Sequence, residues 1–321
     1  MALINGTPAS EAINGNNEAD TIFGFEGQDT IRGGLGNDLI YGNQGNDQIQ
    51  ADAAFGFDTV FGGQGNDVLA YAQTGQLIAY GNLGDDTITG STGADTIFGG
   101  QGNDFIATRE GDDLVYGNLG SDFLFAGVTM GGTDTVYGGQ GADTLEFAGS
   151  LTKAMIYGNL GNDSIRGGES ADTIFGGQGS DIIEGRNGAD LLSGNLGADT
   201  FVYTQSPTNE SPSGTQGNAA VSAGNLDTIT SFVTGEDKLD FIGKGGFGTV
   251  TIGTSGDYAA AYQAAVTNKG ANQYVFVKDA SGGGFLFADV DGAAGAAGGT
   301  FNTGDTAIFI ANGTVAATDI F

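Results

Sequence analysis

The sequence predicts an all-β fold, a right-handed parallel β-roll followed by a small α+β C-terminal capping domain. Three observations predict it. A nonapeptide, G-G-x-G-x-D-x-U-x with U aliphatic, recurs almost without a break from residue 15 to residue 202. Its cleanest copies are Gly33-Gly34-Leu35-Gly36-Asn37-Asp38-Leu39-Ile40-Tyr41 and Gly99-Gly100-Gln101-Gly102-Asn103-Asp104-Phe105-Ile106-Ala107. Alternate copies hold an aspartate and a glycine in constant phase, and the U positions form an aliphatic column. Within each copy the glycines permit a tight turn with positive φ, and the x-U-x triplet is a strand with one inward side chain. One copy cannot bury its apolar face alone, so copies must stack as a solenoid.

With two strand units per winding, alternate units share an edge. The even units carry Asp29, Asp47, Asp67, Asp86, Asp104, Asp122, Asp143, Asp163, Asp181 and Asp199 without a gap. A glycine stands two residues before each, from Gly27 and Gly45 to Gly179 and Gly197. The odd units offer Asp20, Asp38, Asp58, Asp95, Asp113, Asp134, Asp172 and Asp190. Two odd turns, Tyr71 to Tyr80 and Phe147 to Tyr157, have no aspartate at the position, and the odd turns take the insertions. One edge is therefore expected to be a continuous ladder and the other a broken one.

Neighbouring strands lie about 4.8 Å apart. Carboxylates at that spacing repel by about 1 kcal/mol in water and about 3–4 kcal/mol at an effective dielectric near 20. A divalent cation between turns converts that repulsion into bridging, and carboxylate plus main-chain oxygens suit calcium. Even-edge aspartates, with Asp20, Asp38, Asp95, Asp113, Asp172 and Asp190 on the other edge, are the expected ligands of multiple Ca²⁺. The core is the U column, from Ile22, Ile31 and Ile40 through Ile106 and Val115 to Ile183 and Leu192. Aliphatic and β-branched residues suit a strand facing a narrow interior. So thin a core leaves much of the folding free energy to metal binding.

A second column ends the odd units: Phe23, Tyr41, Phe61, Tyr80, Phe98, Tyr116, Tyr137, Tyr157 and Phe175, broken at Ser193. Two residues before each stands Thr or an aliphatic residue, from Thr21 and Leu39 to Thr173 and Leu191. Both columns flank the inward U residue and are expected to point outward. The rings are either a stacking ladder that stabilises its own sheet or a partner surface, since a monomer seldom leaves a large apolar patch bare. The even face is more polar (Arg32, Gln48, Gln50, Thr87, Thr89, Glu146, Arg166), with an apolar patch at Phe105, Phe123 and Phe125.

Gly99 to Ala107 and its neighbours resemble the repeats-in-toxin group of exported bacterial proteins. Asp227-Thr-Ile-Thr-Ser-Phe-Val-Thr-Gly-Glu-Asp237-Lys-Leu-Asp240-Phe is similar to the D-x-I-x-x-F-x-x-G-x-D-x-U-D segment that follows the repeats in that family. The resemblance implies calcium binding and one-step (type I) export on an uncleaved C-terminal signal, whose acidic-then-apolar ending Asp319-Ile320-Phe321 fits. It implies no activity, because toxins, proteases, lipases, adhesins and surface-layer proteins share these repeats.

Composition sets further bounds. With 39 acidic and 9 basic residues the formal charge is −30, which makes nucleic acid and anionic membranes poor partners. The chain has no cysteine and no histidine, so Ser-His, Cys-His and histidine-zinc chemistries are excluded. Paired carboxylates could still hydrolyse glycosides, but the ladder already accounts for most aspartates, and the protein is expected not to be an enzyme. No run of apolar residues is long enough to span a membrane as a helix. Met1-Ala-Leu-Ile-Asn-Gly lacks a basic region and a signal-peptide apolar core, as C-terminal export requires and as a cytosolic protein would also show. Repeats starting this early are expected to leave no room for a catalytic domain ahead of them.

The expected domains are a β-roll over 1–202, a loop or linker over 203–225 rich in proline and polar residues, and a capping and secretion-signal domain over 226–321. In the last, Asp257 to Asn268 reads as a short helix, and Tyr274 to Lys278, Phe285 to Val290 and Ala307 to Ala311 as strands. The expected function is a secreted, calcium-dependent structural protein of the cell surface or extracellular matrix, assembling with copies of itself into a layer or filament. The alternative is an extracellular adhesin that grips polysaccharide through the aromatic face.

Overall fold

The computed structural model describes residues 1–51, 56–71, 74–126, 132–147, 153–204, 227–242, 251–255, 274–279, 283–288, 306–310 and 319. The helix expected over 257–268 and most of the expected linker lie outside them. The described residues are all strand and turn, and they fall into two compact units, Met1–Asp163 and Ser164–Phe321.

In the first unit the chain alternates between two parallel sheets. One holds the odd strands, from Leu3–Asn5, Thr21–Glu26 and Leu39–Gln44 to Thr133–Gln140 and Lys153–Leu160. The other holds the even ones, from Ala12–Asn14 and Thr30–Arg32 to Phe123–Ala126 and Thr144–Glu146. Each strand pairs with the next strand of its own parity, and like residues share a rung: Thr96↔Leu114, Ile97↔Val115, Phe98↔Tyr116. Burial alternates with period two, and the middle residue of each x-U-x triplet is the inward one: Ile22, Ile31, Ile40, Ile49, Val60, Leu69, Ile88, Ile97 and Ile106 are fully buried between the sheets. A parallel ladder that keeps this alternation cannot slip by one residue without exposing the whole column.

The turns depend on two left-handed residues. The glycine two before each even aspartate has positive φ throughout, from +117° at Gly27 to +143° at Gly161. Its lack of a side chain is also a packing requirement, because a Cβ on Gly45 would run into the main chain of Gly27 one winding earlier. The residue four before the aspartate is left-handed as well: Phe25, Asn43, Gly63, Asn82, Gly100, Asn118, Gly139, Asn159, Gly177 and Asn195. Glycine and asparagine tolerate this region, and a bulky residue does not. Phe25 (φ 77°) is the misfit. Phe25→Asn is expected to raise the stability of the calcium-loaded protein by about 1 kcal/mol, read as a higher thermal midpoint. An unchanged or lower midpoint would mean that contact with the Phe23 ring, 6.0 Å away, outweighs the strain.

The aromatic column forms a continuous stack in this unit. Ring centroids from Phe23 through Tyr41, Phe61, Tyr80, Phe98, Tyr116 and Tyr137 to Tyr157 are 4.7–5.0 Å apart, with planes within 10° of parallel. The spacing is the strand spacing, so the sheet dictates the stack. The rings are half-buried and cover one another's faces, leaving edges toward solvent.

Taken by itself, the second unit also alternates between two sheets, through Ser164–Arg166, Thr173–Gln178, Ile182–Glu184, Leu191–Leu196 and Thr200–Thr204. Two strands beyond the insertion rejoin it. Asp227–Ile229 pairs in parallel with the strand of Leu191 and Leu192, and Lys238–Ile242 with Thr200–Thr204. The three expected C-terminal strands are present as Tyr274–Asp279, Gly284–Ala288 and Thr306–Ile310. Thr306–Ile310 pairs in parallel with Asp227–Ile229 and antiparallel with Gly284–Ala288. Asp319, in the expected export ending, is buried; it accepts the Gly235 N–H at 3.2 Å and lies 3.6 Å from the Lys238 Nζ. No helix is long and apolar enough to cross a membrane among the described residues.

Candidate metal centre

Every aspartate of the two expected edges is buried, at 3% exposure or less. Burial of a carboxylate is costly unless it is hydrogen-bonded or paired. One oxygen of most of them is accounted for by the winding itself. On the even edge of the first unit, Oδ1 of Asp47, Asp67, Asp86, Asp104, Asp122, Asp143 and Asp163 accepts the backbone N–H of the aspartate one winding earlier, at 2.8–2.9 Å. Asp29 accepts from Glu11 in the same way. In the second unit the series runs Asp181 to Asp199 to Asp237, with each N–H donating to the next Oδ1 at 3.0 Å. The carboxylates therefore do two jobs: one oxygen ties successive turns together, and the other is left over.

The other oxygen separates the edges. On the even edge Oδ2 of Asp29, Asp47, Asp67, Asp86, Asp104, Asp122, Asp143 and Asp199 is buried without a hydrogen-bond partner. On the odd edge this is true of Asp38, Asp113 and Asp190. Asp20, Asp95 and Asp172 instead accept at Oδ2 the N–H four residues earlier, from Asn16, Ser91 and Gly168. Asp95 also takes the Ser91 hydroxyl at 2.7 Å. The expected contrast between a regular and an irregular edge is thus present in the hydrogen bonding.

On the even edge of the first unit each leftover oxygen faces a cradle made by glycine. A Cβ on Gly24 would sit 2.8 Å from Asp29 Oδ2 and 2.6 Å from the Gly42 carbonyl oxygen of the following winding. Gly42, Gly62, Gly81, Gly99, Gly117 and Gly138 repeat the arrangement along the edge. A carboxylate oxygen and a main-chain carbonyl from adjacent turns thus converge on one small space. Among the described residues no group of three or more acidic or other ligating side chains surrounds a common point. An ion there needs main-chain oxygens for the rest of its shell, which is the donor set of a hard cation such as calcium.

Electrostatics shows the cost of leaving the sites to the carboxylates alone. Burial raises Asp67 to about 7, Asp86 to about 8 and Asp143 to about 7, against the opposing pull of the hydrogen bond to Oδ1. On the odd edge burial raises Asp113 to about 8, and Asp190 is raised by burial and then by repulsion from Asp227. Desolvation disfavours the charged form, and a bound cation reverses that balance.

Sequence reasoning passed over Asp227 and Asp237 as ladder members. Asp227 Oδ1 accepts from Asp190 N at 2.9 Å on one edge, and Asp237 Oδ1 from Asp199 N on the other. The signal was available: Asp227-Thr-Ile has the form of Asp58-Thr-Val and Asp134-Thr-Val. The insertion before it hid the phase.

Two parallel sheets edged by buried carboxylates, most of the even-edge ones with a spare oxygen facing a glycine cradle, define a metal-binding solenoid. The chain belongs to the RTX calcium-binding nonapeptide repeat family, whose model matches residues 5–40, 23–55, 41–72, 80–115, 103–129, 155–183 and 167–201, together more than half of its length. Such repeats bind multiple Ca²⁺ ions, and proteins that carry them are typically exported by type I secretion. No curated protein matches the chain.

Proposed function

We propose that this protein is an extracellular, non-catalytic structural protein whose ladder aspartates hold calcium and whose repeating surface joins copies of it into a layer or filament at the cell surface or in the matrix. The observation that carries this reading is an apolar surface that repeats with the windings. Leu83, Leu119 and Leu160 are each 41% exposed at equivalent turns two windings apart, beside the half-buried column from Phe23 to Tyr157. On the other sheet Phe105 and Phe123 stack at 5.4 Å and are 42% and 38% exposed. A periodic apolar surface on a stiff solenoid favours a periodic partner, and a second copy has the matching period.

The aromatic series Phe23, Tyr41, Phe61, Tyr80, Phe98, Tyr116, Tyr137, Tyr157 and Phe175 is assigned to this contact. Phe98→Ser with Tyr116→Ser is expected to abolish calcium-dependent association while leaving calcium-induced folding largely intact, as measured by sedimentation and far-ultraviolet circular dichroism. Loss of stability with unchanged association would reduce the column to an internal stacking ladder.

A second reading, an adhesin for a linear polysaccharide, is favoured by shallow depressions beside the rings. Those at Gly63, Gly100 and Gly139 have volumes of about 390, 540 and 380 Å³ and are flanked by Asn82, Asn118 and Asn159. Saturable glycan binding by a dispersed monomer would select it.

A further inference from the structure

The two aspartate-free turns of the odd edge are built alike. Leu77 stands in register with Asp58 and donates its N–H to Asp95 Oδ1 at 2.8 Å, so it holds the rung between two carboxylates. Ala154 stands in register with Asp134. Both are buried, Leu77 at 1% and Ala154 at 5%. In the second unit Ile308 follows Asp227 in the same way and is fully buried. The odd edge thus carries runs of three carboxylates (Asp20, Asp38, Asp58; Asp95, Asp113, Asp134; Asp172, Asp190, Asp227), each followed by an apolar rung.

A second substitution accompanies the first. The residue that leads from the even sheet into an odd turn is small where an aspartate follows within the first unit: Gly15, Gly33, Ala51, Gly90, Thr108 and Ala126. Before Leu77 it is Tyr71, on the rung of Ala51, and before Ala154 it is Phe147. The small residue and the carboxylate share one space: a Cβ on Gly33 would meet Asp38 Oδ2 at 2.7 Å, and one on Gly90 would meet Asp95 Oδ2 at 2.7 Å. Tyr71 and Phe147 are buried in that place, at 4% and 1% exposure. The Tyr71 hydroxyl is buried without a hydrogen-bond partner. Tyr203 occupies the same place in the second unit with its carboxylate, Asp227, retained.

We propose that Tyr71 and Phe147 fill the volume that calcium takes at the other odd turns, so that the Leu77 and Ala154 rungs are metal-free plugs dividing the odd edge into separately loading groups. The proposal rests on the calcium reading of the ladder. It accounts for the paired loss at Leu77 and Ala154: the ring takes the space of the metal, and an apolar neighbour replaces the aspartate because a buried carboxylate without its ion is costly. Where an aromatic precedes a retained aspartate, as Tyr203 does Asp227, the same filling predicts a rung without metal.

An exchange of loops tests it. Residues 71–77 are replaced by the Gly33–Asp38 sequence, and in a second protein residues 147–154 are replaced likewise. Bound calcium is counted by elemental analysis after equilibrium dialysis of the folded full chain. Each graft is expected to add at least one Ca²⁺ per molecule. A folded graft with the wild-type count overturns the proposal. If the grafts do not fold in calcium, the reverse exchange decides: residues 33–38 replaced by the 71–77 sequence should fold and lose at least one ion. Retention of the wild-type count there, or failure of all three exchanges to fold, also overturns it. A wild-type chain that binds no calcium would instead remove the ladder reading itself.

Discussion

Removing calcium is expected to unfold most of the chain, with β-structure returning as calcium reaches roughly 0.1–1 mM, the range of extracellular modules. The buried carboxylates are the reason. Ladder aspartates such as Asp67, Asp86 and Asp104 keep one oxygen in a hydrogen bond from the preceding turn, but their spare oxygen has no partner. Without a cation, the fold must bury these groups charged or protonate them. Their titration in the folded chain is raised to about 7, 8 and 6. For a carboxyl raised on folding, the stabilising contribution is full below the unfolded value near 3.9 and is lost as pH rises through the folded value. Acid should therefore replace calcium in part. Chelated protein is expected to be more structured at pH 5 than at pH 8, and calcium affinity to weaken as pH falls from 8 to 5, because protons and ions compete for the same oxygens. Far-ultraviolet circular dichroism of chelated and loaded protein at both pH values checks this. A spectrum indifferent to chelator at pH 8 would refute it.

Substitution in the even ladder is expected to have the next largest effect. Asp104→Ala and Asp122→Ala each strand a backbone N–H, that of Asp86 or Asp104, and the buried orphan costs about 1–3 kcal/mol. They also remove a spare Oδ2 from the cradle. Asp58→Ala and Asp134→Ala strand the Asp38 and Asp113 amides similarly, but they end a run of three rather than interrupt a continuous ladder. The even-edge pair should therefore lose more stability in calcium. Asparagine isolates the metal contribution, since its carbonyl oxygen can keep the Oδ1 hydrogen bond without the charge. Asp104→Asn is expected to raise the calcium midpoint at least about tenfold, because ligand charge tunes affinity, while making the metal-free fold more stable at pH 8. Asp58→Asn should shift the midpoint less. Calcium titrations of the alanine and asparagine variants test both, and equal losses on the two edges would remove the distinction between them.

The nonapeptide by itself determined the strands, the inward column from Ile22 to Leu192, the ten even carboxylates and their glycines, and hence calcium. All of these follow from residues nine apart that repeat the same local conformation, so the pattern is readable without knowing which strand touches which. Three features were decided by tertiary structure. The division of labour between Oδ1 and Oδ2 depends on an amide about eighteen residues away along the chain. The ring column presents edges because the strand spacing forces its faces together. Asp227, Asp237 and the Tyr71–Leu77 and Phe147–Ala154 pairs gained their places only through register, because an insertion shifts sequence phase while the hydrogen bonds between windings restore it. Spacing in sequence records the local turn; pairing across the sheet decides which side chains share a rung, and the free energy of a buried carboxylate depends on that neighbour.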